Sequence, residues 1–342
     1  MTLLVRDEAD VLETHLAYHL AAGVDVVIAT DHRSSDGTTE ILESYARAGH
    51  VQLFREHGER IHQSEWVTRM ARFAATEFDA DWVINSDADE FWWPRGASLK
   101  EVLAAVPTAF GVAYALSRSF VPRADDRQPF SERMIYRLAS AAPINDPATS
   151  FRPVVKVAHR GDPNVVVSHG NHDVFRAGGA RLRAWHPLEV LHLPLRSREQ
   201  VARKHRNTRL AWERNLRGDL SRAGEALEAG RPEAFYDRVA LGDRAVRRGV
   251  ADGTLVKDTR LRDVLRALSG VHGASGEPGP VARRDEEEAL HAVEAACFVE
   301  ASIVRLGRRL DELGERVAKV ENRSGSVSRE EQAARRHEGG AL

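Results

Sequence analysis

At 342 residues, 42% of them hydrophobic and 29% charged, the chain has a globular composition and room for one large α/β domain with extensions. A net charge of −2 argues against a dedicated nucleic-acid binder, and a single cysteine, Cys297, rules out an internal disulfide or a cysteine-based metal site. With no apolar run of membrane-spanning length and no signal-type opening segment, a cytoplasmic protein is expected.

The first hundred residues alternate between strand-like and helix-like segments. Thr2–Val5 is a short apolar strand, and Ala9–Ala22 has helical spacing through Val11, Leu12, Leu16 and Leu20, closed by Gly23. Val24–Ala29 is a buried-type strand. Ser34-Ser35-Asp36-Gly37-Thr38 then opens a helix over Thr38–Ala48, with Asp36 as its cap. Val51–Phe54 is a third strand, Ser64–Phe78 a third helix and Trp82–Ile84 a fourth strand. Buried strands alternating with helices predict a mostly parallel sheet, with ligands bound beyond the strand C-terminal ends. That rule puts the loops after Val5, after Ala29 and after Asn85 on one rim.

From Phe110 to Leu195 the pattern shortens to strand-like pieces at Gly111–Leu116, Met134–Leu138, Val154–Val157, Val165–Val167 and Val190–Leu193. Residues 206–268 read as a basic helical region packed on what precedes them. Residues 1–100 carry 18 acidic and 9 basic side chains, whereas residues 181–262 carry 11 and 19. An acidic front suits a metal site. A basic back suits phosphates or peripheral contact with the inner face of a membrane, although a solvated helical surface is the commoner cause of such charge. Residues 269–286, rich in Gly and Pro, form a flexible linker. Over 287–322 an apolar stripe from Ala289 through Ile303 and Leu310 to Val320 predicts an amphipathic or coiled-coil helix suited to homo-oligomerisation. Residues 323–342 are a polar, disordered tail.

The chemistry gathers at strand ends. Asp87 and Asp89 follow the fourth strand on alternate residues, where two hard oxygen donors can converge on Mg²⁺ or Mn²⁺; an acidic turn is the plain alternative. Four stretches stand in order: Leu4-Val5-Arg6-Asp7-Glu8, Ala29-Thr30-Asp31-His32-Arg33 running on to Thr38, Asn85-Ser86-Asp87-Ala88-Asp89-Glu90-Phe91, and Leu191-His192-Leu193-Pro194-Leu195-Arg196-Ser197. Together they resemble the GT-A-fold glycosyltransferases of family 2, in the branch with a DxDEF motif that also resembles family 92. The resemblance covers roughly residues 2–205 and implies an α/β catalytic domain over residues 1–205, a Rossmann-like sheet flanked by helices.

The resemblance implies roles residue by residue. Asp31 would accept a hydrogen bond from the nucleobase, and Arg6 and Glu8 would wrap the nucleoside. Asp89 would ligate Mn²⁺ or Mg²⁺, supported by Asp87 and completed by His192. Lys156 and Arg196 would contact the diphosphate. An inverting transfer needs a proton acceptor, and the Ser168–Asp173 loop supplies Asp173, with His172 and Glu90 behind it. The expected reaction moves a sugar from a nucleotide-sugar donor, a UDP-sugar by default, to a glycan or lipid-linked acceptor hydroxyl in glycan or surface-polysaccharide synthesis. Two enzyme classes compete. Gly170-Asn171-His172-Asp173 also resembles a motif of calcineurin-like metallophosphoesterases, but their Gly-Asp-x-x-Asp and Gly-x-His-x-His segments are missing. A nucleotidyltransferase would show a glycine-rich basic loop after the first strand, where this chain has Arg6-Asp7-Glu8.

Overall fold

A computed structural model describes residues 1–95, 98–124, 128–139, 154–183, 186–215 and 231–270, with 309–310, 312–314 and 316. The alternation expected for the N-terminal half is present. Strand β1 (Thr2–Val5), helix α1 (Ala9–Ala21), β2 (Val27–His32), α2 (Thr38–Arg47), β3 (Val51–Glu56), α3 (Gln63–Glu77) and β4 (Trp82–Asp87) follow in order. Then come β5 (Glu90–Pro94), α4 (Leu99–Ala104), β6 (Phe110–Ser119), α5 (Phe130–Arg133), β7 (Tyr136–Leu138) and β8 (Val155–Arg160). The short strands β9 (Val166–Val167) and β10 (Val174–Phe175) flank a single 3-10 turn at His169–Asn171. Strands β11 (Ala180–Leu182) and β12 (Leu188–His192) lead to the long helix α6 (Arg198–Asn215). Helices α7 (Pro232–Val239) and α8 (Asp243–Ala251), strand β13 (Leu255–Lys257) and helix α9 (Arg260–Leu268) complete the order.

The main sheet runs β3-β2-β1-β4-β8-β6-β12-β5, with β11 on β6. Strands β1 to β4 are mutually parallel, β8 lies antiparallel between β4 and β6, and β12 is parallel to β6 but antiparallel to β5. The sheet is therefore more mixed than its first four strands predict. Alternate residues feed two cores, as strand geometry requires. On β2, Val27 and Ala29 pack with Val11, Leu12 and Leu16 of α1, Leu42 of α2, and Leu261 and Leu265 of α9. Ile28 packs on the opposite face with Val67, Met70 and Ala71 of α3. Burial on both faces explains why these strands read as continuous apolar runs.

A buried ion network joins α9 to the sheet. Glu189, fully buried on β12, pairs with Arg118 on β6 and with Arg260 at 2.9 Å; Arg260 and Arg137 share Asp258 at 2.7 and 3.0 Å. Residues 1–284 make one compact unit and 285–342 a second. Of the second, only scattered helical residues between 309 and 316 are described; the linker from 271 onward, Cys297, most of the helix expected over 287–322 and the tail over 323–342 lie outside the described residues. Among the described residues no helix is long and apolar enough to cross a membrane.

Candidate active site

Three strand ends meet on one rim. Asp7, after β1, donates its backbone N–H to Ser34 Oγ (3.0 Å) and accepts the Ser35 N–H on its carboxylate (2.6 Å), joining the β1 and β2 loops. The Glu8 N–H bonds Thr38 Oγ1, while Asp36 accepts from the Thr38 N–H and hydroxyl and from the Ala9 N–H. The cap position of α2 is Gly37, in left-handed backbone at φ 99°, and Asp36 one residue earlier accepts the Thr38 N–H and ties the starts of α1 and α2 together.

After β4 the chain makes a two-residue turn, Ala88-Asp89, and returns as β5. Strand β5 pairs with β12 so that Glu90 faces His192, and the Leu193 N–H bonds the Asp89 carbonyl at 2.9 Å. This pairing carries the Asp-Ala-Asp turn onto the strand that holds His192. The two aspartates then part company. Asp89, its side chain 5% exposed, has Oδ1 3.6 Å from His192 Nε2 and Oδ2 2.9 Å from Lys204 Nζ. Burial pushes its carboxyl up, but the Lys204, His192 and Arg196 charges outweigh burial and hold it well below the usual carboxylate range. Asp87, 31% exposed, turns to Lys156 Nζ (2.7 Å) and Asn171 Nδ2 (3.1 Å).

The metal trio of Asp87, Asp89 and His192 is thus reduced to a pair. Among the described residues no three His, Cys, Asp or Glu side chains converge at metal-binding distance. Asp89 and His192 do adjoin. An ionised carboxylate and an imidazole nitrogen at a rim are a donor pair that suits a first-row divalent cation, with open positions left for ligand oxygens.

Lys156 and Arg196 are both paired with carboxylates. Lys156 is buried and committed to Asp87, to Glu90 (2.8 Å) and to the Gly170 carbonyl (2.9 Å). Arg196, 1% exposed, pairs with Glu8 and with Asp10 (2.7 Å) and donates to the Leu193 carbonyl. In this arrangement Lys156 braces the acidic turn, and Arg196 clamps the loop after β1 to the segment leading into α6. Glu8, paired with Arg196, is part of that clamp. Asp31 accepts the Ser34 N–H (3.2 Å) on one oxygen and the Thr39 hydroxyl (2.5 Å) on the other, leaving lone pairs on both. Beside it His32 donates Nε2–H to the Gly58 carbonyl (2.7 Å), while Arg6 keeps a buried Nε without a hydrogen-bond partner.

Asp173 stands apart from the aspartate turn. Its Oδ1 accepts from Tyr114 (2.7 Å), from Arg181 and from the Val174 N–H (2.8 Å); no hydrogen bond or ion pair among the described residues joins it to Asp87 or Asp89. Its loop reaches the turn through Asn171, in left-handed backbone at φ 60°, and through the Gly170 carbonyl. His172 donates Nδ1–H to the Val155 carbonyl. Glu90 does lie at the turn, fully buried, where burial pushes its carboxyl up against the pull of Lys156.

Two residues were missed by the sequence reasoning. Asn171 sits in the loop singled out for its aspartate, and Lys204 sits on α6. The spacing of Gln200, Arg203, Lys204 and Asn207 marks one helix face, which was the available signal.

The glycosyltransferase family 92 model matches residues 3–225, well over half of the chain and all of the residues above. The chain belongs to glycosyltransferase family 92. It is a glycosyltransferase, and its mixed sheet with helices on both faces is the GT-A architecture expected. The family assignment sets aside the phosphoesterase and nucleotidyltransferase alternatives. No curated protein matches significantly. Among solved structures the chain is similar to Staphylococcus aureus TarS 1–349 in complex with UDP, at 13% identity over 73% of this chain and 71% of that one, TM-score 0.31. A mycobacterial protein matches at 19% over 46% and 51%, TM-score 0.26. Glucosyl-3-phosphoglycerate synthase from Mycobacterium tuberculosis, in complex with phosphoglyceric acid, matches at 16% over 46% and 55%, TM-score 0.24. The superpositions are too loose to carry a ligand across.

Proposed function

We propose that this glycosyltransferase takes its sugar from a nucleoside diphosphate donor, a UDP-sugar by default, and passes it with inversion to an acceptor hydroxyl with the help of Mn²⁺ or Mg²⁺. The observation that carries the reading is the meeting of Asp89 and His192, on the same rim as Asp31, at the C-terminal edge of the parallel strands. Asp89 and His192 would hold the cation, which when bound supplies neutralisation of the charge that develops on the departing diphosphate. Asp31, fixed by Ser34 and Thr39, offers lone pairs to a nucleobase N–H, and Arg6 lies close enough to His32 and Arg33 of the same loop to feel their charge.

For the proton of the acceptor hydroxyl we assign Asp173. Tyr114, Arg181 and the Val174 N–H hold its Oδ1, so the carboxylate is oriented while Oδ2 has no partner among the described residues. An oriented carboxylate with one free oxygen is what a general base needs. Glu90 is fully buried beneath the turn and suits that role less well. The acceptor class stays as expected from the resemblance, a glycan or lipid-linked hydroxyl.

Thermal shift with UDP, GDP and other nucleoside diphosphates, each with and without Mn²⁺, tests the donor assignment. A ligand at 100 Kd stabilises by about 2.7 kcal/mol, which raises Tm by roughly 5–10 °C in a domain of this size. One nucleotide should give this rise only with Mn²⁺, and Asp89→Ala should remove it. Silence across the whole panel would contradict the reading.

A further inference from the structure

Among the described residues, Lys204 is the cation at Asp89 whose partners leave it able to move. Arg196, whose guanidinium lies 3.8 Å from that carboxylate, is 1% exposed and held by Glu8 and Asp10. The Lys204 side chain is 48% exposed, and Asp89 is its hydrogen-bonding partner among the described residues. Its helix, by contrast, is firmly anchored. Arg203 donates to the Asp7 carbonyl (3.1 Å) and to Asp10 (3.1 Å), Asn207 donates to Asp7 (2.6 Å), and Gln200 accepts the Arg196 N–H (3.2 Å). A fixed backbone thus presents an ammonium on a flexible four-carbon stem at the mouth of the acidic turn. It occupies the Asp89 oxygen that a divalent cation would need.

We propose that Lys204 is a catalytic residue that alternates between two anions, holding Asp89 in the donor-free protein and moving to the donor's diphosphate when the nucleotide-sugar binds. The proposal rests on the nucleotide-sugar reading above. The bond changes are those of the transfer itself: the sugar–phosphate C–O bond breaks, its electron pair leaves on the diphosphate, and the acceptor oxygen forms the new bond as its proton passes to Asp173. The ammonium meets the developing charge by hydrogen bonding and keeps its protons. The movement frees Asp89 Oδ2 at the moment the donor arrives, which couples cation binding to donor binding.

Calorimetric titration of wild type, Lys204→Gln and Lys204→Arg tests this, first with Mn²⁺ alone and then with UDP at saturating Mn²⁺. Removing the competing ammonium should let Lys204→Gln bind Mn²⁺ several-fold more tightly than wild type. Losing a charge-assisted contact should weaken its UDP binding about tenfold. Lys204→Arg should recover most of the UDP affinity. Unchanged Mn²⁺ affinity in Lys204→Gln would overturn the hold on Asp89, and unchanged UDP affinity would overturn the move to the diphosphate. If wild type binds no nucleoside diphosphate, the donor reading fails by itself and the diphosphate half of the proposal falls with it. The Mn²⁺ titration still decides the hold on Asp89.

Discussion

Replacing Lys156 by methionine isolates the electrostatics beneath the acidic turn. Its ammonium lies 2.7 Å from Asp87, 2.8 Å from Glu90 and 2.9 Å from the Gly170 carbonyl, in a buried position. Methionine fills much of the same volume but strands a fully buried Glu90 beside Asp87, two like charges with no cation between them. Breaking a buried pair by removing one partner costs about 3–5 kcal/mol. The lower end applies, because Asp87 is partly exposed and keeps Asn171. At about 2–4 °C per kcal/mol, Tm should fall by roughly 6–12 °C. The pH dependence has a definite sign. Burial already pushes the Glu90 carboxyl up and Lys156 opposes it, so without Lys156 its folded pKa rises further above the unfolded value. A raised folded pKa stabilises at low pH and loses that contribution as pH rises. The deficit of Lys156→Met against wild type should therefore be largest near pH 8 and shrink toward pH 6. Calorimetric melting at both pH values reads it. A deficit under about 1 kcal/mol, or one equal at both pH values, would refute the account of the turn.

The buried histidines should cost the wild-type protein stability as pH drops from 6.5 toward 4, offset in part by the raised carboxyl of Glu90. Burial depresses His15 and His159 to about 4, so the unfolded chain takes up these protons first, at a cost of the order of 3 kcal/mol for each group across that window. His159→Gln should flatten the slope of denaturant stability against pH, and an unchanged slope would count against it. Asp173→Asn should lower kcat by about 10²–10⁴-fold with donor affinity intact, since it removes the proton acceptor and leaves the rim alone. Tyr114→Phe should lower kcat less, and equal losses in kcat and donor affinity would point to a structural role for both residues.

The N-terminal half was legible because its strands are buried on both faces. Val27, Ile28 and Ala29 of β2 all sit in core, so the apolar run survives in the sequence whichever face each residue serves. The later sheet was harder to read. Strand β5 is Glu90-Phe91-Trp92-Trp93-Pro94, and its pairing to β12 joins residues about a hundred positions apart that share no local signal. That pairing assembles the site, so Asp89 and His192 could be brought together in advance only by the family likeness. The sequence likewise displays charges without saying which neutralise each other. Arg196 and Lys156 looked available to a phosphate because nothing local reveals that Glu8, Asp10, Asp87 and Glu90 already claim them. Lys204 was concealed for the opposite reason. On a helix as charged as α6, one more lysine reads as solvated surface until the fold places it over Asp89.

Donor turnover tests the central claim most directly. The purified protein would be given a panel of nucleotide-sugars with Mn²⁺, with EDTA, and with Asp89→Ala in place of wild type, and release of the nucleoside diphosphate would be measured. The account predicts release from one donor class by wild type, abolished by EDTA and by Asp89→Ala. Release that persists undiminished in EDTA or in Asp89→Ala would contradict it, as would the absence of release from every donor.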